Sequence, residues 1–167
     1  MKTATSRAGG AFWRRLSLIA ALVVVVLDQL SKHLALRHLP PGYGTPLWPG
    51  LLNLQLVRNT GAAFSLFTGQ PRLLGLVSLV VSVALLLWIL RRPPRGPWES
   101  LGFGLLLGGA LGNGLDRWRL GAVVDFLALV PIQFPVFNLA DVAINLAVLC
   151  FFLHLSPWRR SSEDPHD

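Results

Sequence analysis

Hydrophobic positions cluster in four blocks, at 16–36, 73–90, 101–117 and 138–155, separated by polar or proline-rich stretches. The second block carries no charge, and the first only Asp28, Lys32 and His33. A helix needs about 20 residues to cross a hydrocarbon core of about 30 Å, so both fit. The third is rich in glycine and reaches that length only with Asp116 and Arg117 at its end. The fourth contains one acid, Asp141, and starts near Asn138, because Pro131 and Pro135 disfavour helix before it. Two further segments are too short to span: 51–57 alternates apolar and polar residues, and 123–129 is β-branched at its start. The pattern predicts an integral membrane protein, mainly α, with four transmembrane helices and a small extracytoplasmic β-sheet. All 167 residues are expected to form one domain, with outer loops at 37–72 and 118–137.

Composition agrees. The chain is 53% hydrophobic and 14% charged, against about 25% charged in a soluble domain. Too little polar surface is available to cover a globule. The net charge of +7 raises the question of nucleic acid. The basic residues punctuate apolar runs and do not line a polar face, so membrane lipid is the expected partner and nucleic acid is not. The single cysteine, Cys150, excludes an intramolecular disulfide and sits mid-block as a packing residue. The first block begins like a secretory signal, after Arg14 and Arg15. Asp28, Lys32 and His33 then replace a cleavage site, which makes it a retained span.

Orientation follows from Lys and Arg. Lys2, Arg7, Arg14 and Arg15 precede the first span, Arg91, Arg92 and Arg95 separate the second and third, and Arg159 and Arg160 follow the fourth. Four spans put these places on one side, so both termini are expected in the cytoplasm. Trp13, Trp88, Trp98 and Trp158 mark that interface, and Trp48 and Trp118 the other.

Of eight acids, Glu99, Glu163, Asp164 and Asp167 fall in cytoplasmic turns or the tail. Asp28, Asp116, Asp125 and Asp141 fall in or beside the outer halves of the spans. An acid at membrane depth costs several kcal/mol unless paired or wetted, so each is either a helix staple or a functional group. Asp28 and Lys32, in DQLSK at 28–32, stand four apart with the acid first. They read as a buried structural pair, and neutralising Asp28 is expected to strand Lys32. In GGALGNGLDR at 108–117, Gly104, Gly108 and Gly112 share one helix face for close packing. Asp116 there pairs either with Arg117 locally or with Lys32 across helices, and Arg117 alternatively holds a phosphate or a peptide carbonyl.

Asp125 lies in the short 123–129 segment, away from an obvious cation. Asp141 opens the fourth span three residues after Asn138. Its bland reading is a charge on a helix N-terminus. Its sharper reading is a carboxylate dyad with Asp125, sharing one proton so that one member activates water and the other polarises a carbonyl. Asp116 with Asp141 is the alternative dyad, disfavoured because Arg117 and Lys32 would hold Asp116 ionised. Metal and cofactor chemistry lack parts: there is no H-E-x-x-H, and His33, His38, His154 and His166 are scattered. A non-enzymatic membrane protein, such as a transporter subunit or assembly factor, is the competing class. It would match each acid to a cation, whereas a peptidase would bring two carboxylates together.

DQLSK, NTGAAF at 59–64, GGALGNGLDR, VVDF at 123–126 and FPVFNLAD at 134–141 occur in order. With the four-block profile they closely resemble the bacterial lipoprotein signal peptidases, or signal peptidase II. The resemblance runs from Asp28 through the fourth block. It implies an intramembrane aspartyl endopeptidase of the inner membrane that acts, as a functional monomer, near the extracytoplasmic face. Its substrates would be prolipoproteins, cut just before a diacylglyceryl cysteine, and it would be a target of the cyclic peptide globomycin. Matched motif by motif, Asp125 and Asp141 would be catalytic. Asn59, Gly61, Asn113, Arg117 and Asn138 would shape the site, and Asp28, Lys32 and Asp116 would support it, with no metal or cofactor. Two features depart from the family: Ser31 stands where threonine is common, and the connection from Asp125 to Asp141 is short.

Overall fold

The computed structural model of the protein describes residues 3–61 and 67–156. Residues 62–64 of NTGAAF, Trp158, Arg159, Arg160 and the tail acids lie outside them. In chain order the elements are α1 (Thr3–His38), β1 (Gly44–Trp48), β2 (Leu52–Asn59), α2 (Pro71–Arg91), α3 (Pro97–Leu120), β3 (Val123–Leu129) and α4 (Leu139–Leu155). Among the described residues, two helices are long and apolar enough to cross a membrane: Gly9–His38 within α1, of mean hydropathy 1.9, and α2, of mean hydropathy 2.8.

Glycines give α3 a surface of small residues. α3 packs against α1, α2 and α4, and its small residues let three backbones approach. A Cβ at Gly108 would lie 2.6 Å from the Cβ of Val24 on α1, and one at Gly109 would lie 2.7 Å from the Ala140 carbonyl of α4. One at Gly114 would lie 3.0 Å from Ser78 on α2. Close backbone approach, together with Leu107 packed against Ala21 and Ile89, holds this helix at the centre. At the other end of the bundle Ser17 donates to the Ser100 carbonyl and Ser100 to the Trp13 carbonyl, both at 2.9 Å.

α3 ends at Gly121, whose φ of 68° is left-handed and suits a residue without a side chain. The chain turns there directly into β3. The sheet has the order β1-β2-β3 and is antiparallel throughout. A register shift between Leu54 and Val57 sets Val57 opposite Asp125 and Asn59 opposite Val123. The sheet is bedded on Ala35, Leu56, Val124, Phe126 and Leu127, with Leu36, Phe137 and Leu139 packed around them. The pairing of 51–57 with 123–129 is thus found. The further strand, β1, has no counterpart in the sequence pattern; it is exposed along its whole length and holds Pro46.

The short connection after β3 has a definite role. Phe137 pairs with Leu127 through two backbone bonds, 2.8 and 2.9 Å, and Phe126 N also donates to the Phe137 carbonyl at 3.0 Å. This return fixes Asn138 beside Asp125 and starts α4 there. Asn138 caps α4: its Oδ1 accepts from Asp141 N at 3.0 Å, while Asp141 Oδ2 accepts from Asn138 N at 3.2 Å. This is a reciprocal capping box.

Candidate active site

Asp125 and Asp141 are brought together from a strand and a helix start. Asp125 is 2% exposed. Its Oδ1 accepts from Asn138 Nδ2 at 2.6 Å and its Oδ2 from Asn59 Nδ2 at 3.0 Å. Asn59 reaches it as a same-face diagonal neighbour, since Val57 is the residue opposite. Asp141 Oδ1 accepts from Asn113 Nδ2 at 2.8 Å. Asn113 Oδ1 in turn accepts from Asn138 Nδ2 at 3.1 Å and from Lys32 Nζ at 3.0 Å. One carboxamide chain therefore joins the two acids. Neither has a cation within ion-pair distance among the described residues.

Lys32 explains how that chain is oriented. Its ammonium lies 2.9 Å from Asp28 Oδ2 and 3.0 Å from Asp116 Oδ2, and all three groups are buried. An ammonium only donates, so the Asn113 oxygen must face it and the Asn113 nitrogen must face Asp141. Asp116 also accepts from Val124 N at 3.1 Å and from Gln29 Nε2 at 3.0 Å. Three donors thus engage it, and it is absent from the wall of the cavity beside the two acids. Asp116 therefore pairs across helices with Lys32. Asp28 does more than pair with Lys32: its Oδ1 accepts from Ala140 N at 3.0 Å and so satisfies an open N–H in the first turn of α4.

Arg117 is held by carbonyl and hydroxyl groups, with Nη2 donating to the Gly61 carbonyl at 3.2 Å and Nη1 to Ser78 Oγ at 3.5 Å. Gly61 N donates to Asn59 Oδ1 at 2.9 Å. Arg117 Nε is buried without a hydrogen-bond partner among the described residues. The charge of Lys32 acts on Asp125, and that of Asp125 on Arg117, from beyond ion-pair distance.

A cavity of about 530 Å³ opens onto these groups. Asn59, Asn113, Arg117, Asp125 and Asp141 form its polar part, and Phe134, Phe137, Val142, Ile144, Leu146 and Leu149 its apolar part. Asn145 also lines it, a residue that no sequence motif singles out.

Burial pushes the Asp125 carboxyl from its ordinary 3.8 up to about 6. The Asp141 charge adds to the rise, while the Asn59 and Asn138 bonds and the Lys32 charge oppose it. The folded state thus binds this proton more tightly than the unfolded chain does. The stability this contributes is complete below about pH 4 and lost as pH rises through about 6, a change of up to about 3 kcal/mol. Asp125→Asn cannot titrate. Its melting temperature in detergent, relative to wild type, should rise between pH 4 and pH 8; a constant difference would contradict the burial of a titrating Asp125.

Residues 20–156 match the family described as Signal peptidase (SPase) II. The lipoprotein signal peptidase of Parasynechococcus marenigrum (strain WH8102) is 55% identical over 92% of this chain and 97% of its own length. That of Gloeobacter violaceus is 51% identical over 85% of this chain and 79% of its own length. A solved bacterial membrane enzyme, at 2.3 Å resolution, superposes with a TM-score of 0.79 at 27% identity, covering 90% of this chain and 93% of the other. With that agreement over most of the chain, from the first span to the end of α4, the chain belongs to the signal peptidase II family.

Proposed function

We propose that this membrane protease removes the signal peptide of prolipoproteins, cutting just before a diacylglyceryl cysteine, with Asp125 and Asp141 as the catalytic pair. The observation that carries the reading is the convergence of these two carboxylates, linked by Asn113 and Asn138, on one largely apolar cavity. Asp125, with its raised carboxyl, carries the shared proton and donates it toward the scissile carbonyl oxygen. Asp141 takes a proton from the attacking water. As the tetrahedral intermediate collapses, Asp141 gives its proton to the leaving amine and Asp125 recovers one from the gem-diol hydroxyl, which restores the pair. Asn59, Gly61 and Arg117 form the rim at which the substrate backbone is received, and Asn113 and Asn138 hold the acids in place.

The chain acts as one domain and as a monomer, with α1 to α4 all crossing the bacterial inner membrane. Arg14 and Arg15 on α1 and Arg91, Arg92 and Arg95 between α2 and α3 then fall on the cytoplasmic side with both termini. The dyad and the sheet lie at the opposite face. The apolar wall favours a substrate held by two acyl chains, as each buried methylene contributes about 0.8 kcal/mol. The test is the full chain in detergent with a lipobox peptide, with and without the diacylglyceryl group. Cleavage should occur immediately before the cysteine and be about a hundredfold faster in kcat/KM for the lipidated form, equivalent to three or four methylenes. Globomycin should compete with it. Equal kcat/KM would point instead to a general intramembrane protease, and no cleavage of either form would overturn the reading.

A further inference from the structure

Asn145 is an anomaly in α4. Between Asp141 and His154 the helix is otherwise apolar apart from Cys150, and Asn145 is exposed into the cavity beside Val142, Ile144, Leu146 and Leu149. One Nδ2 hydrogen is used by its own helix, in a 2.9 Å bond to the Asp141 carbonyl. That bond anchors the carboxamide, while Oδ1 and the second N–H of this cavity-lining residue have no bonded partner among the described residues. A carboxamide exposed to hydrocarbon without partners costs a few kcal/mol, so a group that enters with the substrate is the natural complement.

The depth of Asn145 identifies that group. It stands four residues beyond Asp141 in the same helix, about 6 Å further along the axis and on the same face. Cleavage requires the substrate to be extended at the scissile bond, and an extended chain advances about 3.3 Å per residue. Two residues therefore span the offset. In the orientation proposed above, the signal peptide approaches the dyad from the cytoplasmic side, so the segment at that depth precedes the cut. Its backbone groups have left their helix and find no water in the membrane, where each unsatisfied one is costly.

We infer that Asn145 is a substrate-binding residue that pairs, through Oδ1 and its free N–H, with the backbone peptide group about two residues on the signal-peptide side of the scissile bond. This rests on the peptidase reading above and adds a specific contact to it. The contact needs no particular side chain in the substrate, so it selects for an extended segment at that depth. The chemically similar competitor is an ester carbonyl of the diacylglyceryl group, which could also accept from the free N–H.

The test uses the full-length protein in detergent and a diacylglyceryl lipobox peptide. Asn145→Leu should raise KM about tenfold, the scale of one or two hydrogen bonds, with kcat nearly unchanged. Replacing the substrate amide two residues before the cut by an ester removes the N–H. That change should raise KM comparably for wild type and leave Asn145→Leu unaffected. The ester substrate tests wild type by itself, so the inference stays falsifiable even if the variant folds poorly. A dialkyl ether substrate lacks both ester carbonyls; if the Asn145 effect vanishes with it, the contact belongs to the lipid and the inference is overturned. An unchanged KM in Asn145→Leu, with wild type indifferent to the backbone ester, overturns it as well. Failure of wild type to cleave the parent peptide would instead remove the peptidase reading, so the two failures are distinct.

Discussion

Asp125→Asn and Asp141→Asn each lower turnover by about 10³-fold or more, near the upper range for removing a positioned acid or base. Neither unfolds the protein. At position 125 an asparagine keeps the size of the aspartate and still offers an oxygen to one of the two carboxamides, Asn138 or Asn59. The substitution also removes a charge that burial disfavours. At position 141 an asparagine oxygen still accepts from Asn138 N, which preserves the reciprocal cap. The helix-end charge is lost there, worth about 0.3–1 kcal/mol, together with the bond from Asn113 Nδ2 to Oδ1, about 1.5–3 kcal/mol. The measurements are single-turnover cleavage of the lipidated peptide and thermal unfolding of each variant in detergent. A folded variant that retained turnover would return Asp116 to candidacy. The structure argues against that outcome, because Asp116 is saturated by Lys32, Gln29 and Val124 N.

The acids are legible in the sequence because membrane depth turns any charge into a question. Asp125 stands out by lying in a segment too short to span, and Asp141 by opening a helix after a proline-rich stretch. Asn138 is placed at the start of the fourth span by its position three residues before Asp141, but its role as a cap emerges only from the structure. Contacts between distant segments stay hidden. The bond from Asp28 to Ala140 N joins residues 112 apart in sequence, and no periodicity anticipates it. β1 carries no alternating pattern, because it is an edge strand exposed on both faces; the Pro49–Gly50 pair before β2 is the available turn signal. Asn145 is an ordinary polar residue in an apolar run until the cavity gives it a direction.

Lys32→Met is expected to destabilise the protein by about 3–5 kcal/mol, a large part of the about 5–15 kcal/mol that holds a typical domain together. Asp28 and Asp116 would then be buried with only Gln29 between them, its Nε2 donating to Asp28 Oδ2 at 3.2 Å and to Asp116 Oδ1 at 3.0 Å. This revises what the DQLSK motif suggests by itself. Read as an isolated pair, Asp28→Asn strands Lys32. In the structure Lys32 keeps Asp116 at 3.0 Å, so Asp28→Asn costs only a charge-assisted bond, about 1.5–3 kcal/mol. The asparagine oxygen can still cap Ala140 N. The lysine, not the aspartate, is therefore the residue whose loss leaves buried charge uncompensated. Activity should suffer too, because only Asn138 Nδ2 would then hold the Asn113 oxygen away from Asp141, and a flipped carboxamide would present an oxygen to a carboxylate. The pair Asp28→Asn with Lys32→Met removes one of the two stranded charges and should recover part of the lost stability, while the freed Asn113 keeps activity low. Thermal unfolding and expression yield of the two single variants and the double variant decide the matter. A Lys32→Met protein as stable as wild type would show that the two carboxylates find protons or water without the lysine, and that the dyad is not held in place by this charge.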